Sequence, residues 1–142
     1  MKRIILLILT CLPLWSTAQE QELLDKYASI DGCSTIELSK EMIRSMGGGD
    51  GIDTLSAISL ENRDLIDEFT NDVEVYTKGM TKILSVAQNS QRVKIYCIVD
   101  ADSENITKMV IHTTDNNTSV MVILTGKDIE LSSASSIMSI EL

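Results

Sequence analysis

Between Arg92 and Thr125 the chain carries three closely spaced runs rich in Val, Ile, Met and Tyr: Arg92–Val99, Asn105–Thr113 and Ser119–Leu124. Runs of this kind are strands when turn-forming clusters bound them, and Asp100-Ala101-Asp102-Ser103-Glu104 and Thr114-Asp115-Asn116-Asn117 are such clusters. The stretch predicts an antiparallel meander. Its apolar residues occur at both parities, with Val120, Val122 and Leu124 opposite Met121 and Ile123, and Met109 and Ile111 opposite Val110. Parity alone groups Met109, Ile111, Met121 and Ile123 on one side, with Val110, Val120, Val122 and Leu124 on the other. A sheet that is apolar on both faces has to be covered twice, by two layers of the same chain or by one layer and another molecule.

The segments before the meander supply the cover. Glu20 to Ile30 places Leu23, Leu24, Tyr27 and Ile30 on one helical stripe, and Asp31-Gly32 closes it. Cys33–Leu38 alternates as a strand, after which Ser39 caps a short helix carrying Met42, Ile43 and Met46. Gly47–Asp53 reads as a mobile loop, since consecutive glycines are entropically costly to order. Leu55–Leu60 reads as a further strand, and Glu61-Asn62 as a cap. From Arg63 to Gln88, apolar residues from Leu65 through Phe69, Val73, Tyr76, Met80 and Leu84 to Ala87 recur at three- and four-residue steps, which predicts one long helix interrupted at Gly79. The expected fold is α+β, a mixed five-stranded sheet ending in the three-strand meander and packed by one long and two shorter helices. The serine-rich tail from about residue 130 is expected to fray.

The first residues read as an export signal. Met1-Lys2-Arg3 is a basic start, Ile4 to Leu14 is apolar, and Ser16-Thr17-Ala18 offers small residues for cleavage before Gln19. The apolar run is shorter than the roughly 17 residues a membrane span requires. Expected domains are a signal peptide at 1–18 and a single α+β domain at 19–142, in an exported, periplasmic or cell-surface protein. A lipid anchor at Cys11 is the lesser alternative, because Thr10 stands where a lipidation signal wants Gly or Ala. Cleavage removes Lys2 and Arg3 and no acidic residue, taking the formal net charge from −9 to −11. Nucleic acid and anionic lipid are poor partners for such a surface.

With these elements in place, helix-ending Lys26-Tyr27, the segment Ser34-Thr35-Ile36-Glu37-Leu38-Ser39-Lys40-Glu41-Met42, the Leu55–Leu60 strand, the long helix and the closing Val122-Ile123-Leu124-Thr125-Gly126-Lys127-Asp128-Ile129 can be compared with known patterns. The layout resembles the exported Bacteroidetes family catalogued as domain of unknown function 4252, over nearly the whole chain after the leader. The resemblance implies a small periplasmic or cell-surface protein and carries over neither an activity nor catalytic residues.

No catalytic constellation is legible. Gly48-Gly49-Asp50-Gly51-Ile52-Asp53-Thr54-Leu55-Ser56 matches one calcium β-roll repeat, making Asp50 and Asp53 weak metal candidates, but a single copy supplies only half a ligand shell, and calcium is not expected. Asp100 to Glu104 begins like an EF-hand loop and then fails, with Asn105 where Gly is needed and Ile111 where Glu is needed. His112, the only histidine, is expected as a partly exposed sheet residue aligned with Ile106, Lys108 and Val110. Cys33 and Cys97 fall on opposite strand parities and are expected as unpaired thiols, unless a kink at the strand start brings them together. No cofactor is expected. Two functional readings stay open: a non-catalytic protein-binding or assembly module, meeting a protein partner or a second copy through a sheet face, and a hydrolase-like enzyme built from scattered carboxylates.

Overall fold

The computed structural model describes residues 19–46 and 51–130. Helix α1 spans 19–28, and Gly32 at φ +84°, a left-handed conformation that favours glycine, turns the chain into the first strand. Strand β1 (Cys33–Ser39), helix α2 (Lys40–Ser45) and strand β2 (Ile52–Leu60) follow. A single 3-10 turn (Arg63–Leu65) leads into helix α3 (Ile66–Tyr76), and strands β3 (Thr81–Gln88), β4 (Gln91–Val99), β5 (Ile106–Thr114) and β6 (Ser119–Gly126) complete the order. Ser39 precedes α2 in extended geometry without a side-chain cap bond, whereas Asn62 Oδ1 does cap, accepting from the Asp64 amide at 3.1 Å.

The described residues build a six-stranded sheet in the order β1-β2-β6-β5-β4-β3, with every neighbouring pair antiparallel. The class is α+β as expected, and the expectation of a mixed five-stranded sheet is corrected. The reason lies in the long helix expected from Arg63 to Gln88, which ends at Tyr76. Thr77 closes it, its amide bonding Val73 O at 2.9 Å, and Gly79 at φ +92° turns the chain into β3. Asn89 at φ +58° and Ser90 then form a two-residue hairpin turn onto β4, so the meander has four strands, β3 to β6. The three strands read from the sequence are present within it. Strand β2 begins at Ile52, so the end of the expected mobile loop belongs to the sheet, while 47–50 and the tail at 131–142 lie outside the described residues.

Both faces of the central strands are buried, each by a different set of elements. On one face α1 and α3 press Leu24, Tyr27, Ile66, Phe69, Val73 and Tyr76 onto Ile58, Leu60, Tyr96, Val110, Met121 and Ile123. Tyr27 and Phe69 meet edge to face at 4.9 Å, and Asp72 ties the two helices by accepting from Tyr27 Oη at 2.6 Å and Lys26 Nζ at 2.7 Å. On the other face Ile43 of α2, together with Ile129, packs with Ile95, Met109, Ile111, Val122 and Leu124. The face grouping expected from parity is thereby corrected. Met109 lies opposite Leu124 and Ile111 opposite Val122, which puts Met121 and Ile123 with Val110 instead. Parity fixes faces within one strand, while the turn at Asp115–Thr118 sets the register between strands.

Cys33 packs on the α1/α3 face, whereas Cys97 shares the opposite face with Val93 and Ile95. Four strand-to-strand steps separate β1 from β4, roughly 19 Å at about 4.8 Å per step, far beyond the roughly 7 Å a disulfide tolerates. Both cysteines are free, and burial pushes both thiols upward in pKa. In the chain without residues 1–18, which carry Cys11, unfolding without reductant should expose two titratable thiols; recovery of none would contradict the strand order.

Gly51 and Gly126 let two backbones touch where β2 starts and β6 ends. A methyl group at Gly126 would run into the Gly51 carbonyl, and one at Gly51 into the Asp128 carbonyl. Because neither obstacle is a flexible side chain, Gly126→Ala is expected to destabilise by at least about 2 kcal/mol in urea unfolding. A change within about 0.5 kcal/mol would show that the approach is looser than described.

Candidate functional site

The end of the sheet beneath α3 carries a polar cleft of about 330 Å³. Its floor is His112 and Thr114 from β5, one wall is Asp67, Thr70 and Glu74 from α3, and the opposite wall is Arg92 and Lys94 from β4. His112 is buried, not partly exposed as the sequence suggests, and a register irregularity between Ile98 and Val99 leaves Ile106 off the face it shares with Lys108 and Val110. Two hydroxyls hold its Nε2, Ser119 Oγ at 3.0 Å and Thr114 Oγ1 at 2.9 Å, and they lie 3.1 Å from each other. Phe69 meets the ring edge to face at 5.7 Å. Burial first, and the positive Lys94 second, lower the histidine pKa from 6.5 to about 4. Such an imidazole is neutral at physiological pH and a weak base, while a general base works best poised near the operating pH. Its hydroxyl neighbour Ser119 is itself fully buried, and no carboxylate hydrogen-bonds the ring among the described residues. The cluster is built as a satisfied polar core element.

A second polar group sits further along the same sheet face. Lys108 is 8% exposed, donates to Tyr76 Oη at 2.9 Å and lies 3.7 Å from Glu20. It joins β5 to α3 and α1, and burial raises the Tyr76 hydroxyl pKa.

Of the two residues read as metal candidates, Asp53 alone is among the described residues. Asp50 lies outside the described residues, and Asp53, on β2, faces Lys40 at 3.7 Å. Asp100 to Glu104 is the β4–β5 turn, in which Asp100 accepts from Ser103 Oγ at 2.8 Å and Glu104 stands at φ +61°. The Ser103 hydroxyl holds Asp100 below its usual pKa, and the Asn117 and Thr118 amides do the same for Asp115. Among the described residues no group of three or more His, Cys, Asp or Glu is placed to hold a metal.

The surface feature that sequence reasoning missed is the β3–β4 hairpin. All eight residues of β3 are exposed, including Ile83 at 40%, Leu84 at 42% and Val86 at 43%. Among the described strands β3 is an edge, so every second backbone amide and carbonyl faces outward. Its register with β4 sorts the hairpin by chemistry: Lys82, Ser85 and Ala87 share a face with Tyr96, Lys94 and Arg92, while Leu84 and Val86 share the other with Ile95 and Val93. One face is basic and the other apolar. A signal was available, because from Val75 to Val99 the chain has Lys78, Lys82, Arg92 and Lys94 and no acidic residue, in a chain with 21 acidic and 12 basic residues.

No match is found when the chain is compared with protein-family models, with curated proteins or with solved structures. No helix among the described residues is long and apolar enough to cross a membrane.

The histidine cluster has a pH signature. A pKa depressed in the folded state means that the unfolded chain takes the proton first, so the contribution is present above pH 6.5 and is lost as pH falls toward about 4. Urea unfolding should lose up to about 3 kcal/mol across that window. His112→Gln should remove that slope while starting from a lower stability. An unchanged slope in the variant would assign the pH dependence elsewhere.

Proposed function

We propose that this protein is a non-catalytic protein-binding or assembly module of the periplasm or cell surface, exported by its leader and akin to the exported family it resembles, and that the exposed edge of β3 is its binding surface. The observation that carries the reading is β3 itself. An eight-residue strand of high β-propensity, uncovered on both faces by the described residues and carrying Ile83, Leu84 and Val86 outward, leaves unmet the hydrogen-bonding and apolar demands that another strand would meet. Natural edges of this length are usually blunted by proline, several charges or a covering element, and β3 has only Lys82 and the bulge between Lys82 and Leu84. The central sheet faces are buried, which moves the binding surface from a sheet face to the sheet edge.

The test is site-specific photo-crosslinking in the cells that make the protein. A photoreactive residue at Leu84 should give a discrete adduct, whereas one at exposed Glu22 on α1 should give none. Val86→Lys should abolish the adduct while changing stability by less than about 1 kcal/mol, since the position is exposed. Absence of any adduct at Leu84 would remove this reading.

A further inference from the structure

We infer that the strand received by β3 is β1 of a second copy of this chain, so that copies join head to tail into one continuous sheet. The inference rests on the reading of β3 as the binding edge and names its partner.

Geometry comes first. The sheet built by the described residues has six strands and every neighbouring pair is antiparallel, so its two edge strands, β1 and β3, run in opposite directions. A copy displaced along the sheet without being turned over therefore brings its β1 antiparallel to β3, with the two sheets' corresponding faces on the same side. A sheet with an odd number of strands would present parallel edges.

Side-chain chemistry agrees with this placement. Through its pairing with β2, β1 puts Thr35 and Glu37 on the α1/α3 face and Ile36 and Leu38 on the other. On β3 the α1/α3 face carries Lys82 and Ser85, and the other carries Leu84 and Val86. With the same bulge at Ile83 that β3 shows against β4, the register that sets Glu37 of one copy opposite Lys82 of the next also sets Ile36 opposite Leu84. Ile36 is 53% exposed, and neither Glu37 nor Lys82 has an ion-pair partner among the described residues. Cross-strand pairs of opposite charge and of apolar residues are the units that stabilise a sheet. Two-fold pairing of β3 with itself would instead bring two basic hairpins together in an otherwise acidic protein. Each head-to-tail contact leaves a free β1 at one end and a free β3 at the other, and strand addition repeats the sheet's own twist without bringing those ends together, so the product is an open chain of copies. One strand pair is a small interface, and the association is accordingly reversible.

Sedimentation velocity of the purified protein, from a few micromolar to about 500 µM, tests this in a range suited to small interfaces. The expected result is a mean mass that rises past that of a dimer without a plateau. Glu37→Lys and Lys82→Glu should each raise the concentration needed by about five- to tenfold, through a like-charge pair, and an equimolar mixture of the two should recover the original association. Unchanged thermal melting of both variants shows that each is folded. A plateau at dimer with Glu37→Lys inert would assign the contact to β3 against itself, and a monomer throughout would overturn self-assembly. Either result overturns the inference, and the Leu84 adduct, read separately, decides whether β3 binds a different protein.

Discussion

Two strands buried on both sides set the terms for everything else in this fold. Met109, Val110 and Ile111 are consecutive in β5 and essentially inaccessible, as are Met121, Val122 and Ile123 in β6. Successive residues of a strand point to opposite faces, so burying three in a row requires cover above and below. The chain meets the demand asymmetrically. Helices α1 and α3 form a broad layer on one face, and α2 with Ile129 covers the other around β2, β5 and β6. Cover is concentrated on the middle of the sheet, and among the described residues β3 at its margin has none.

That margin coincides with a separation of charge. An acidic chain that places an acid-free stretch with four cations along β3, the turn before it and the neighbouring β4 has a region where another acidic surface is attracted and not repelled. The polar clusters that could suggest chemistry are turned inward instead. His112 is locked between Ser119 and Thr114, and Lys108 between Tyr76 and Glu20. Buried and satisfied, such groups specify how β5 and β6 register and how α3 seats, which is a structural use of residues that also serve catalysis elsewhere.

Much of this was legible in the sequence where local signals stand alone. The strands around Val93–Val99, Val110 and Val122 followed from dense apolar runs between turn clusters, and the opposite faces of Cys33 and Cys97 held because each keeps the same-strand neighbours read for it, polar Thr35 and Glu37 for Cys33 and apolar Val93 and Ile95 for Cys97. The error at β3 has a specific cause. Met80, Ile83, Leu84 and Ala87 continue the three- and four-residue spacing of α3 by coincidence, which masked the β-branched Thr81, Ile83 and Val86 and the true stop at Gly79. Asn89-Ser90 also lacks the glycine that usually announces a two-residue hairpin. Burial of His112 was invisible for another reason, since its partner Ser119 is brought to it across the β5–β6 turn. The edge site was unreadable until β3 was seen to be a strand.

Amide hydrogen exchange along Thr81–Gln88, measured by NMR on dilute monomer, tests the account at its centre. If β3 is an uncovered edge strand, protection alternates, with amides directed at β4 exchanging slowly and amides directed outward exchanging nearly as fast as in unfolded chain. Uniform slow exchange through these residues would mean that they continue the helix or that another segment covers the edge, and the exposed edge on which the proposed binding rests would not exist.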